Sequence, residues 1–373
     1  MIGFLLYLCT VFKVSHYLYI IPFLILFIIN IKKIDFNFSK IKLNYLIILF
    51  IVILSFINIL LSKNNNLIDY IPYTLLMIAG YFIAEHIKKR DLQIIVLFIV
   101  LETLVAVVEY LLGINTIFYK SDIFRKYSSE ALFYYTRTYG LSANSSIYAL
   151  KLLMAILMID YFNLFKSNIK NIIKIIILAG LVFSFSRTVL IVVLFYYILI
   201  FIIPVIKVFK NPYFKFSIKK YYNYFAVSLF VIAVIVSIDF YKKTFYTQIT
   251  RGKSNIELSG REIIWPQFIN KIKKDPIFGN HSKKFYADYH GVKNAIHGHN
   301  SFLQVLANNG VIIFVLFIVL LFINITKYNI IFILAIILYS MTQYGIFWGI
   351  SLLDIFMFML FIYNTDKKRL AIE

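Results

Sequence analysis

Apolar stretches close to the length of a bilayer crossing recur along this chain from end to end. A helix needs about 20 residues to cross hydrocarbon. Stretches of that order lie at 14–31, 43–62, 67–86, 92–113, 141–162, 171–186, 188–206, 222–240, 311–326, 328–344 and 349–363. In lipid every backbone polar group must be satisfied within the protein, and runs this long do so as helices. Residues 1–12 are short for a span and read as either a further tilted span or an interfacial segment. The expected fold is therefore an all-α polytopic membrane protein with about 11–12 transmembrane helices. Composition agrees: 61% of the 373 residues are hydrophobic and only 15% charged, whereas soluble domains sit near half and a quarter.

The formal net charge of +21 would point to nucleic acid in a soluble protein. Here the basic residues lie mainly between apolar runs, so they read as topological signals and no nucleic-acid partner is expected. Lys32, Lys33, Lys40 and Lys42 share one short loop, and Lys88, Lys89 and Arg90 share a second. Lys166 and Lys170 follow, then Lys207, Lys210, Lys215, Lys219 and Lys220, then Lys327, then Lys367, Lys368 and Arg369. With the spans alternating as drawn, all fall on one side, which the positive-inside rule makes cytoplasmic. The opposite side receives two long loops, 114–140 and 241–310. The chain thus divides into an N-terminal transmembrane bundle at 1–240, a long extracytoplasmic loop at 241–310, and C-terminal transmembrane helices at 311–373. Apolar spacing over 263–272 predicts an interfacial helix inside that loop. The start, 1–10, has no basic n-region or small-residue cleavage site and reads as retained membrane sequence. Cys9, the only cysteine, excludes an intramolecular disulfide.

Four polar motifs fall on the extracytoplasmic side. Ser184-Phe185-Ser186-Arg187-Thr188 is a tight turn between two apolar runs. Arg187 reads either as a snorkelling interfacial residue or as a fixed guanidinium whose planar fork suits phosphate. Arg137-Thr138-Tyr139-Gly140-Leu141-Ser142-Ala143-Asn144 closes the first long loop, with Ser142 or Asn144 as a helix cap and Arg137 just outside it. Ser259-Gly260-Arg261-Glu262-Ile263-Ile264-Trp265 opens the interfacial helix and adds a third cation, with Trp265 as a headgroup-level anchor. His297-Gly298-His299-Asn300-Ser301 closes the second loop. A histidine there is a candidate general base, and Asn300 a residue that orients a ring or hydroxyl; the alternative is a polar helix cap. A zinc site built from His281, His290, His297 and His299 is a rival with loose spacing and no cysteine, so no metal is expected. Glu109, Asp239 and Asp354 lie in apolar spans near their outer ends, where an isolated charge is expensive, and each is expected to pair with one of the arginines. Glu102, seven residues before Glu109, lies on roughly the same helix face.

These motifs, in this order and on this layout, resemble the O-antigen ligase and polymerase superfamily. The matching pieces are Arg137 with Gly140 and Asn144, Ser186-Arg187, Gly260-Arg261 with Trp265, Pro276 with Gly279, and His297, His299-Asn300 with Gly310. Ser145 stands where the family pattern commonly has proline. The resemblance implies a metal-independent, inverting glycosyltransferase that resembles C-type membrane glycosyltransferases and needs no cofactor. Its donor would be an undecaprenyl-pyrophosphate-linked oligosaccharide, with a chain-length regulator and a flippase as companions. Arg187 and Arg261 would hold the pyrophosphate, Arg137 would assist, and His299 or His297 would deprotonate the acceptor hydroxyl. Glu109, Asp354 and Asn300 would support the site, which would face outward from the cytoplasmic (inner) membrane of a bacterium. A surface-polysaccharide (O-antigen or capsule) polymerase and an O-antigen ligase transferring to a lipid A core share this chemistry. A transporter or flippase of polysaccharide or lipid, which would place charges mid-membrane, is the competing class, and a membrane scaffold a third.

Overall fold

A computed structural model describes residues 1–11, 16–31, 42–62, 71–112, 114, 116–117, 137–210, 260–289, 291–347 and 349–365, with side chains through 203 in the stretch ending at 210. The span expected at 222–240, Asp239, Ser259, His290, most of the first long loop, and the basic residues Lys32, Lys33, Lys40, Lys215, Lys219, Lys220, Lys367, Lys368 and Arg369 lie outside the described residues.

The fold is dominated by helices. They run α1 Ile2–Val11, α2 Ile20–Asn30, α3 Leu43–Leu60, α4 Leu76–His86, α5 Lys89–Leu111, α6 Ser145–Phe162, α7 Ser167–Ser184, α8 Arg187–Lys210, α9 Arg261–Lys274, α10 Ser301–Phe322, α11 Ile330–Thr342 and α12 Leu352–Ile362. Among the described residues, α3, α5, α6, α7 and α10 are long and apolar enough to cross a membrane unaided. The apolar helices α1, α2, α11 and α12 are 10–13 residues long, and at 1.5 Å per residue they reach only part of the way.

Each shortening has a local cause. The stretch expected at 67–86 enters α4 through a 3₁₀ turn, Tyr73–Leu75, after extended Pro72. The stretch expected at 328–344 stops at Thr342 because Gln343 is extended, and the one expected at 349–363 begins at Leu352, capped by Ser351 Oγ. Conversely, the helix expected from 311 begins at Ser301, with Asn300 Oδ1 accepting from the N–H groups of Phe302 and Leu303.

α10 is broken at Gly310, where φ 76° and ψ 178° are far from helical. The segment 276–282 fills the break. Asn280 and Ser282 donate their N–H groups to the Asn308 carbonyl, and Val311 N–H donates to Pro276. Backbone groups freed by the kink are thereby satisfied. A Cβ at Gly310 would sit 1.8 Å from the Ile277 carbonyl oxygen, so only glycine fits there.

Packing divides the chain into two units: Met1–Ile95 with Leu258–Glu373, and Val96–Glu257. In the first unit α3 lies against α10 and α12 against α4. Asn44 and Asn324 exchange amide hydrogen bonds at one end of this arrangement, while Asn58 Nδ2 donates to the Phe278 and Asn309 carbonyls at the other. α3 therefore runs antiparallel to the second half of α10. It buries Ile47, Ile48, Ile51 and Val52 and exposes Leu49, Phe50, Ile53 and Ile57, the apolar outer face expected against lipid. In the second unit α6 is the buried centre, packed by α7 and α8.

The helix expected at 263–272 forms as α9, two residues longer at each end. A feature that reading lacked follows it: an antiparallel hairpin of β1 Ala287–Tyr289 and β2 Val292–Ile296 turning at Gly291. Ile264 and Phe268 of α9, Ala287 of β1 and Ala307 of α10 form a small core of their own, which ties the hairpin to the start of α10.

Candidate functional site

In the first unit the histidine motif is assembled by α10, α9 and the α11–α12 connection. Asn300 caps α10 and donates from Nδ2 to the Met341 carbonyl at 3.0 Å. Ser301 Oγ accepts from the N–H groups of Gly345 and Ile346 at 2.9 and 3.1 Å and donates to the Gln343 carbonyl. These bonds dock Gln343 beside His299, whose backbone takes the left-handed region at φ 47°. His299 Nδ1 lies 3.1 Å from Gln343 Oε1. Because that oxygen only accepts, Nδ1 carries the proton and Nε2 keeps its lone pair. His297 is arranged the other way round: its Nδ1 accepts the His299 backbone N–H at 3.3 Å, which leaves the proton on Nε2. The two rings sit 4.3 Å apart, and His297 lies 5.8 Å from the Tyr344 ring.

Burial first, then His299, Lys284 and Arg261, pull the His297 pKa down to about 3. His299 is also lowered, by burial first and by Arg261, against the opposing effect of its hydrogen bond to Gln343. Both imidazoles are therefore neutral near pH 7. Arg261, the first residue of α9, donates from Nη2 to the Thr342 carbonyl, one residue before Gln343. Trp265, expected as a headgroup anchor, directs its indole N–H to the Gly298 carbonyl at 2.8 Å, inside the histidine loop. Gln304 closes that loop by accepting from Gly298 N–H at 2.7 Å.

Asp354 sits 1% exposed below this region. Its carboxylate accepts from Phe347 N–H at 2.6 Å and Ser351 Oγ at 2.8 Å, and its electrostatic partner from the loop is Lys284. The sequence reading had assigned it an arginine. Lys284 itself went unnoticed in a run of basic loop residues, Lys283-Lys284, that reads as a solvated face. Tyr73 and Gln343 were missed as well, because nothing local marks a tyrosine or glutamine in an apolar run as part of a site.

In the second unit the Arg137 motif is clamped by two glutamates on one face of α5. Glu109 Oε2 accepts from the N–H groups of Tyr139 and Gly140 at 3.1 and 2.8 Å, and its Oε1 from Ile117 N–H at 3.0 Å. Backbone donors thus take the place expected for an arginine. Glu102 accepts from Ser142 Oγ at 2.7 Å and pairs with Lys151 of α6 at 2.7 Å, both side chains almost wholly buried. Gly140, at φ 56°, lies against Glu102: a Cβ there would come within 2.7 Å of Glu102 Cγ. Asn144 caps α6 through a bond from Ile147 N–H, so Asn144, not Ser142, is the cap.

Thr138 N–H donates to the Phe183 carbonyl at 3.2 Å. The Arg137 segment therefore lies beside the end of α7, where Phe185 in the left-handed region turns the chain into α8. Arg187 opens α8 immediately after this turn. Arg137 and Arg187 thus share one end of the second unit, and Arg261, His297, His299, Asn300 and Asp354 gather in the first. Among the described residues no group of three His, Cys, Asp or Glu is arranged to hold a metal ion; His281 lies 3.9 Å from Asp275, and His290 lies outside the described residues.

Apolar helices, several long enough to cross a bilayer, with arginines and a histidine pair at helix ends, fit a multi-pass membrane protein. Residues 172–318 match the family model of the O-antigen ligases, which supports the O-antigen ligase and polymerase superfamily for this chain. The matched segment contains Arg187, Arg261, His297 and His299, and leaves the Arg137 block outside it. No curated protein and no solved structure gives a match to the chain.

Proposed function

We propose that this protein is a surface-polysaccharide polymerase of the O-antigen or capsule type. It transfers undecaprenyl-pyrophosphate-linked repeat units onto a sugar hydroxyl at the outer face of a bacterial cytoplasmic membrane. The reading rests on one observation above the rest: a neutral His299, its Nδ1–H held by Gln343 and its Nε2 lone pair unspent by that bond, beside Arg261 and inside the segment that matches the family.

In the reaction the acceptor hydroxyl oxygen attacks the anomeric carbon as the bond from that carbon to the pyrophosphate oxygen breaks, with inversion. His299 Nε2 takes the hydroxyl proton, which requires the base to be neutral at working pH. The pyrophosphate leaves carrying the electron pair, and fixed guanidinium groups stabilise the charge that develops on it. Arg261 and Arg187 take that role, with Arg137 as a weaker contributor held by the Glu109 clamp. His297, whose Nδ1 lone pair is occupied, acts as a donor in this scheme. No metal or cofactor enters.

The O-antigen ligase reading, in which the finished glycan moves to a lipid A core or another acceptor, shares this chemistry, and the family match is common to both. A deletion strain complemented with wild type or His299→Ala separates the readings. Under the polymerase reading, the variant strain accumulates a single repeat unit on its acceptor. Long chains left on the carrier lipid would make the protein a ligase instead. Normal polymer from the variant would remove His299 from the chemistry, and substrate flux across liposomes without glycosidic bond formation would make the protein a transporter.

A further inference from the structure

Lys284 lies in the loop between α9 and the hairpin, on the site side of the first unit. The residue after it is pinned to α10 at both backbone groups: Phe285 N–H donates to Asn308 Oδ1 at 2.8 Å, and Gln304 Nε2 donates to the Phe285 carbonyl at 2.7 Å. The ammonium rests 5.2 Å from the centre of the Tyr73 ring, whose hydroxyl accepts from Asn308 at 3.3 Å and Asn309 at 2.8 Å. An unbroken series of contacts runs from there to the base: Tyr73 to Tyr344 through their hydroxyls, Tyr344 to His297, and His297 to His299. The charged side chains acting on the His297 ring are Lys284 and Arg261, both cations. The carboxylate acting on Lys284, that of Asp354, already accepts two short hydrogen bonds. Two cations against one carboxylate, around a pair of neutral imidazoles, leave this region with a net positive charge, which favours an anion.

We propose that Lys284 is a second substrate-binding cation of the histidine site, contributing with Arg261 to the binding of a phosphate-class anion, the diphosphate of the lipid-linked donor. The assignment rests on the transferase reading. It adds a group whose charge is conditional: burial holds the Lys284 pKa down at about 8, opposed by Asp354, so the ammonium is present near pH 7 and lost as pH rises above 8. The groups acting on Lys284 are Tyr73 and Asp354, and those acting with it on the His297 ring are His299 and Arg261. Neither histidine is protonated in that range, and arginine stays charged throughout.

Binding of inorganic pyrophosphate to the full chain, in phosphatidylcholine nanodiscs by calorimetry between pH 6.5 and 9.5, tests this. At pH 7, Lys284→Gln is expected to weaken binding about tenfold, the loss of a charge-assisted hydrogen bond, while Lys284→Arg retains it. Above pH 8, wild type is expected to lose affinity relative to Lys284→Arg. Titration of pyrophosphate itself affects both proteins equally and cancels in that comparison. Coincident pH profiles for wild type and Lys284→Arg, or wild-type affinity in Lys284→Gln, would overturn the assignment. If Arg261→Gln still weakens binding in that case, the transferase reading survives alone. No saturable binding by wild type would overturn both. A phospholipid headgroup offers the same phosphate chemistry, so the measurement is repeated in phosphatidylglycerol discs. Affinity within threefold supports the donor diphosphate, and a tenfold loss would assign the pocket to the headgroup and overturn the proposal.

Discussion

At the residue scale the histidine pair illustrates how two identical side chains acquire different roles. Their spacing in sequence treats them alike. The hydrogen bond to Gln343 and the backbone N–H of His299 separate them, one ring carrying its proton on Nδ1 and the other on Nε2. His299→Gln is therefore expected to reduce turnover by about 10²–10⁴ with little change in donor binding, and His297→Gln by less than about tenfold; single-turnover transfer in proteoliposomes distinguishes them. Equal losses would mean the tautomer assignment does not govern the chemistry. The pH dependence follows from the same environment. A base is active when unprotonated, so its acid limb falls at its pKa. Burial lowers the His299 pKa, so kcat/KM is expected to hold as pH falls through about 6.5, the ordinary imidazole value, and to decline only below it. A limb above 6.5 would contradict the burial that produces the shift.

At the scale of elements, the long helices were legible and their ends were not. The periodic apolar runs announced α3, α5, α6 and α7 within a few residues, because lipid demands length and apolarity at once. The hairpin was not legible: strands of three and five residues in a loop with many glycines carry little periodic signal. The kink in α10 was equally hidden, since Gly310 is consistent with a loop end or a break until 276–282 is seen packed into it. Gly310→Ala is expected to destabilise the first unit by about 3 kcal/mol or more through overpacking and a positive φ; loss of the monodisperse peak in detergent chromatography would register it. In the second unit, breaking the Glu102–Lys151 pair with Lys151→Met leaves a buried carboxylate and is expected to cost about 3–5 kcal/mol. Adding Glu102→Gln should recover most of that loss in thermal unfolding. A double variant as unstable as the single would show that the pair does more than compensate itself.

At the scale of the molecule, the proposed residues come from segments far apart in the chain: Arg137 and Arg187 from one part, Arg261, Lys284 and the histidines from another. The transferase reading requires both parts to face the same compartment. With Cys9→Ser removing the only native thiol, single cysteines report topology. Lys293→Cys in the exposed hairpin is expected to react with an impermeant maleimide in intact cells. Asn168→Cys, at the opposite end of α7 from the Arg187 turn, should react only after permeabilisation. Labelling of both from outside would put the Arg187 turn on the cytoplasmic side and exclude Arg187 from the chemistry.

The sequence by itself determined that this chain lives in a bilayer, where most of its helices lie, and which arginines and histidines are candidates for chemistry. These are properties of composition, period and order, which survive without knowledge of any contact. Tertiary structure alone decided which partner each charge has: backbone amides and not an arginine for Glu109, Lys151 for Glu102, and Lys284 acting on Asp354. It alone decided which histidine nitrogen carries the proton. Charge pairing and tautomers are set by groups within a few ångströms in space, and between Gln343 and His299 those few ångströms span 44 residues of chain.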